Sequence, residues 1–237
     1  MVNGFSMNRQ FATNAAQDAA ATLLGQDFFA RDPLVCAADL IGCELAWGDC
    51  RGIVVETEAY AALGDEACHT FLRRGAQKFV DEHPAGTAYI YLNYGVHWLL
   101  NALVKGRAGA AADGFVLIRA LEPVAGLAEM RARRGPAITD DRHLCSGPGK
   151  LTQALGVPPA VHGHSLCVDP RRGFHARASD APPVEIVTDV RIGISRAADL
   201  PWRFLLKNNR CVSRPPARRI DGANQKCQGP RRRLSQS

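Results

Sequence analysis

GTAYIYLNYGVHWLLN, residues Gly86–Asn101, decides the fold. Tyr89 and Tyr91 occupy alternate positions of an apolar run and so share one face of a strand. Leu92-Asn93-Tyr94-Gly95 then reads as a tight hairpin turn, and an apolar run resumes from Val96 to Val104. Working outward, strand-like blocks occupy about 43–47, 52–60, 87–92, 96–104 and 114–120, followed by others near 184–194 and 202–213. Most follow one another without a crossover helix, which a parallel pair would need. The fold class predicted is therefore α+β: a single mixed α/β domain with a mainly antiparallel curved sheet and surrounding helices.

Helix signals flank these blocks. Residues 14–24 form an Ala- and Leu-rich stretch ended by Gly25. Asp32-Pro33 gives an N-cap followed by proline at the first helical position, with a run to Ile41 and a stop at Gly42. Pro123 is read as opening a helix to about Arg134, with Val124, Leu127 and Met130 at helical spacing. A shorter helix is expected from Gly147-Pro148 to Leu155. The chain thus divides into an N-terminal extension (1–24, partly helical), one domain (25–213) and a C-terminal tail (214–237).

The net charge of +6 resides in that tail, which has Arg214, Arg218, Arg219, Lys226, Arg231, Arg232 and Arg233 against Asp221 alone. Its Pro, Gly and polar content predicts disorder, either as a solvated end or as a DNA-tethering arm. Basic and acidic residues balance over 1–213, so any basic face on the body must be a local cluster. The eight cysteines form no C-x-x-C pair, and the first 30 residues lack the basic start and apolar run of a secretory signal. With no apolar run of membrane-span length, the expectation is an intracellular protein of the cytoplasm or nucleoid with reduced thiols.

Six places could carry chemistry. In IVVETEAY, residues 53–60, strand period puts Glu56, Glu58 and Tyr60 on one face, either as exposed acids or holding a water beside a stacked ring. Tyr94, at a hairpin tip, could pack on the core or wedge into a base stack. Asn101, in an apolar strand, is either a satisfied structural amide or a discriminating pocket contact. Arg119 closes the strand from Phe115, as a salt-bridge partner or as an orienter of water. Cys145–Lys150 places backbone N–H groups and a lysine at a helix start, suited to phosphate but outside the P-loop pattern. His162, His164 and Cys167 make only a weak metal pattern.

These stretches together resemble the alkyladenine (3-methyladenine) DNA glycosylase family. The resemblance rests on VVETEAY (54–60), DEACHT (65–70), GTAYIYLNYGVHW (86–98), Asn101, VLIRALEP (116–123) and LCSGPGKLTQALG (144–156), and covers about residues 25–213. It implies a monomeric, monofunctional enzyme without cofactor or catalytic metal, acting on double-stranded DNA that contains damaged purines. Glu58 is then the general base, with Arg119 beside it. Tyr60 and His69 resemble one wall of a base pocket and Tyr91 the other, with Tyr89 bracing His69 and Asn101 excluding guanine. Tyr94 resembles an intercalating wedge, and Ser146, Gly147 and Lys150 resemble phosphate contacts. Between His69 and Gly86 the family's usual T-P-R-N-x-x-M-F-like run is replaced, and Arg73, Arg74 and Lys78 are the available phosphate contacts there. The rival readings are a non-catalytic lesion-binding protein, a metal hydrolase using Glu56, Glu58 and His69, and a fold relative acting on another nucleoside.

Overall fold

The computed structural model of the chain describes residues 22–107 and 113–217. In order these form α1 (Gln26–Phe29), α2 (Pro33–Asp39), β1 (Glu44–Trp47), β2 (Cys50–Ala61), α3 (His69–Leu72), α4 (Arg74–Glu82), β3 (Ala88–Asn93) and β4 (His97–Val104). There follow β5 (Gly114–Ala125), α5 (Leu127–Arg134), α6 (Pro148–Leu155), β6 (Arg172–His175), β7 (Ile186–Asp189) and β8 (Arg203–Leu206). The strands run β3-β4-β5-β2-β1-β6, and β8 joins β2 and β7. Every pairing is antiparallel, so the sheet is the one the hairpin at 86–104 implies.

Strand periodicity separates two apolar layers. Ala88, Ile90, Leu100, Ala102, Val116 and Ile118 join the large core, to which α2 and α6 contribute Cys36, Ala37, Leu151 and Ala154. Alternate positions Tyr89, Leu103 and Phe115 face the other way and pack on Ala76, Phe79 and Val80 of α4. That second layer, between sheet and α3–α4, holds the site described below. Neither α3 nor α4 follows from the strand pattern that organises their flanks.

The sheet is locally irregular where β2 passes its partners. Val54 pairs with Leu121 and Glu56 with Ala120, leaving Val55 extra; Thr57 pairs with Ile118, leaving Arg119 extra. Beside the same bulges the free edge of β2 changes partner from β1 to β8. Arg119 therefore does not close its strand, as the sequence reading has it, but sits mid-strand at a bulge, where a side chain can be re-aimed.

Pro123 is likewise not a helix start: it pairs with Gly52 inside β5, beside a register irregularity that tolerates its missing N–H. The helix begins at Leu127, after Gly126 turns the chain with φ 71°. Asp32 caps α2 as expected, accepting from the N–H groups of Leu34 and Val35. The two late strands are shorter than 184–194 and 202–213. β6 lies in a stretch read as loop, because four residues, RGFH, carry no pattern until β1 pairs with them.

Of the helix expected at 14–24, residues up to 21 lie outside the described residues. Leu23 and Leu24 run extended beside β6, with the Leu24 N–H on Phe174 O at 2.7 Å. Of the tail, residues 218–237 lie outside the described residues, while the Ala217 N–H donates to Asp189. No helix among the described residues is long and apolar enough to cross a membrane.

Candidate active site

Antiparallel register alone assembles the centre of the site. Tyr89 pairs with Asn101, Asn101 with Leu117, Leu117 with Glu58 and Glu58 with Arg203, so one row crosses β3, β4, β5, β2 and β8. The next row brings Leu103, Phe115 and Tyr60 together. Residues far apart in sequence thereby line one cavity of about 120 Å³, formed by Tyr60, His69, Tyr89, Tyr91, Asn101 and Phe115, with Gly193 and Ile194 at one side.

Glu58 is fully buried behind this cavity, and its charge is met by three donors. The Tyr60 hydroxyl donates to Oε2 at 2.7 Å and Arg119 Nη1 to the same oxygen at 3.2 Å; the Ile192 N–H donates to Oε1 at 2.7 Å. A carboxylate offers about four acceptor directions, so one stays free for a further donor. Burial, and then the Glu58 carboxylate, push the Tyr60 phenol well above its ordinary range, so it remains a donor. Burial opposes the Arg119 charge, but Glu58 and Glu56 outweigh it and raise its pKa.

Arg119 is itself anchored. Its Nε donates to Glu56 at 2.9 Å, and Glu56 also accepts from Arg203 at 3.0 Å and from the Ser213 hydroxyl at 2.8 Å. Arg203 continues to Asp189 at 2.7 Å. The result is an alternating buried chain, Glu58–Arg119–Glu56–Arg203–Asp189, beginning at the carboxylate beside the cavity. A second buried pair, Arg191 with Asp65 at 2.6 Å, anchors the loop after β7 that presents the Ile192 N–H. The Arg191 guanidinium also lies 4.6 Å above the Tyr60 ring, a cation–π contact.

The ring residues are neutral. Burial, then the nearby Arg73 charge, lower the His69 pKa to about 4. Burial pushes the Tyr91 phenol up to about 12. His69 Nδ1 lies 3.1 Å from the Tyr89 hydroxyl, the bracing contact expected of that pair. His69 and Tyr91 meet edge-on with centroids 4.3 Å apart, so they touch rather than stand as separated walls. The Asn101 amide donates to Tyr89 O at 3.1 Å, fixing its orientation in the cavity.

Tyr94 stands outside, 83 % exposed, on the β3–β4 hairpin. The turn is one residue later than expected: the Val96 N–H donates to Asn93 O, and Tyr94 and Gly95 both take left-handed backbone (φ 49° and 69°). A bulky residue there is strained, and nothing in the core compensates it. Ser146 and Lys150 meet at the start of α6, Lys150 Nζ 3.4 Å from the Ser146 hydroxyl, with Gly147 between them as N-cap. Arg73 joins α3 to α4 close to His69, with Arg74 the first residue of α4; Lys78 points to solvent and pairs with Glu82.

The chain is similar to known proteins over most of its length. The model of the methylpurine-DNA glycosylase family fits residues 27–210. The chain belongs to the methylpurine-DNA glycosylase family. Its relatives include a Rhodopseudomonas palustris protein named "Putative 3-methyladenine DNA glycosylase", 44 % identical over 203 residues, covering 86 % of this chain and 94 % of the relative. Proteins of the same name from Chlorobaculum tepidum (43 % identical; 84 % of this chain, 97 % of the relative) and Methanoculleus marisnigri (46 %; 79 % and 96 %) are also similar. As a family member the chain is a DNA-repair enzyme of alkylation damage, and its substrate is DNA.

Within this glycosylase fold, register brings the predicted residues Glu58, Arg119, Tyr60, His69, Tyr89, Tyr91 and Asn101 into one locality. Tyr94 and the Ser146–Lys150 turn stand apart at its rim, and Lys78 farther off. Sequence reasoning missed Ile192, Arg191, Asp65, Arg203 and Ser213. The one visible signal was an arginine within each of the two late blocks, Arg191 and Arg203.

Proposed function

We propose that this enzyme excises alkylated purines, 3-methyladenine-type lesions foremost, with 7-methylguanine and hypoxanthine as further candidates, and leaves an uncut abasic site. The observation that carries the reading is the buried Glu58 carboxylate, paired with Arg119 at 3.2 Å, behind a cavity of aromatic rings. A base in a duplex cannot be attacked at its sugar, so it is extruded at a cost of about a few kcal/mol. Tyr94 fills the vacated stack, and Tyr60, His69 and Tyr91 receive the base, each stack worth roughly 1–3 kcal/mol. Because His69 and Tyr91 touch in the free protein, entry requires them to part by about one ring thickness.

Alkylation makes the purine cationic and a better leaving group, and a cation is favoured over electron-rich, uncharged rings. His69 is neutral at physiological pH and so does not repel it. The free acceptor direction on Glu58 takes a water, which the carboxylate deprotonates as the sugar develops oxocarbenium character. Arg119 pairs with Glu58 and orients it, and Asn101 excludes the exocyclic amine of guanine. Hydrolysis rather than strand cleavage is supported by a cavity lining without lysine, the residue a Schiff-base route would need. Ser146, Gly147, Lys150, Arg73, Arg74 and, less centrally, Lys78 hold backbone phosphate. The reading is of a monomer acting on double-stranded DNA in the cytoplasm or nucleoid.

The test is base release from duplexes carrying each lesion, with EDTA present, followed by gel analysis of the strand. Release that leaves an intact strand, cleaved only after alkali, is expected. Spontaneous strand cleavage, or inhibition by EDTA, would contradict the mechanism; binding without release would favour a lesion-binding protein.

A further inference from the structure

A second cavity, about 730 Å³, lies between α6 and the segment that follows β8. Its lining includes His143, Ser146, Lys150, Lys207, Arg210 and Ser213, and no acidic residue among the described residues. Lys207 is paired with Glu185. Lys150 and Arg210 form no ion pair among the described residues, although both are exposed. Two uncompensated cations facing one groove repel each other and attract a polyanion.

The position of the groove identifies which polyanion. At one end lies Lys150; its neighbour Gly149, outside the groove, packs against the His97 ring at the foot of the hairpin that carries Tyr94. At the other end lies Ser213, whose hydroxyl accepts from Arg119 Nη2 at 3.3 Å, one side chain from Glu58. The groove therefore runs from the wedge side of the site to the back of the catalytic carboxylate. Ser146 and Lys150, which line this groove, are also the residues read above as phosphate contacts at the rim of the site.

We propose that the groove seats the phosphodiester backbone of the damaged strand, with Arg210 facing Lys150 across it. This rests on the excision reading and adds to it a second wall of the DNA site, from the chain after β8. Arg210 is a binding residue here, without a part in the chemistry.

Binding of the full-length protein to a duplex with a tetrahydrofuran abasic analogue, measured from 50 to 200 mM salt, tests the groove. Each phosphate contact contributes about 0.9 to the slope of log affinity against log salt. Arg210→Ala and Lys150→Ala are each expected to reduce that slope by about 0.9, and the double variant by about twice as much. Arg172→Ala, on β6 at the opposite edge of the sheet, is the control for bulk charge. Arg210 is exposed, so an unchanged melting temperature verifies that its variant is folded. An unchanged slope in Arg210→Ala, with wild type still releasing bases, overturns the groove and leaves excision standing. An equal loss in Arg172→Ala also overturns it, whereas a wild type that binds no duplex removes both.

Discussion

Glu58 is a charge held inside protein, and its three donors explain how. Stripping water from a carboxylate costs several kcal/mol, which only close, well-aimed partners offset. Arg119 is the charged partner, but a guanidinium with two carboxylates is stable only because Arg203 shares Glu56. Removing Glu56 leaves the buried donors of Arg119, Arg203 and Ser213 without their shared acceptor: Glu56→Ala is expected to destabilise the fold by about 3 kcal/mol in denaturant titration. A loss under 1 kcal/mol would mean that the chain is dispensable. His69 gives a pH dependence of defined sign. Its folded pKa, about 4, lies below the ordinary 6.5, so folding disfavours protonation. Stability from this ring is intact above pH 6.5, declines as pH falls from 6.5 towards 4, and is level below that. His69→Phe is expected to flatten this part of the stability–pH curve; an unchanged curve would contradict the assignment. Glu58, Tyr60 and Arg119 could be singled out from sequence because they are polar side chains in otherwise apolar strand runs. The Ile192 N–H could not, since any residue supplies a backbone donor, and the Arg191–Asp65 pair spans 126 positions.

At the scale of the element, the β3–β4 hairpin opposes stability to function. Tyr94 keeps a left-handed backbone that costs a non-glycine residue about 1–2 kcal/mol, and its ring touches no core. Tyr94→Gly is therefore expected to leave stability equal or raise it by up to about 1 kcal/mol, while weakening binding to abasic-analogue duplex. Lower stability together with unchanged DNA affinity would show that Tyr94 is a packing residue. Elements with strong local signals were legible: Asp32-Pro33 and Gly147-Pro148 start helices where their capping chemistry places them. Pro123 misled because proline favours a first helical turn as readily as it tolerates a strand irregularity, and only the pairing with Gly52 decides between them. The bulges at Val55 and Arg119 were invisible, since they follow from how two strands are registered against each other.

For the whole molecule, an antiparallel sheet between two helical layers gives the two faces different tasks. One face packs a continuous apolar core against α2 and α6. The other, under α3 and α4, exchanges part of its core for a cavity, a buried ion chain and a hairpin projecting beyond the body. The α+β class and the shared face of Tyr89 and Tyr91 were readable from strand period and the hairpin. The site as a whole was not, because one row across five strands assembles it. The family resemblance bridged that gap by naming residues that register later brings together.

The most direct test of Glu58 as the base is single-turnover release of 3-methyladenine from duplex DNA by wild type and Glu58→Gln, in EDTA, beside their affinities for abasic-analogue duplex. Gln keeps the shape but cannot take a proton, so release is expected to fall by at least about 10²-fold, with affinity changed little. Release by Glu58→Gln at the wild-type rate would contradict the assignment of Glu58 as the catalytic base.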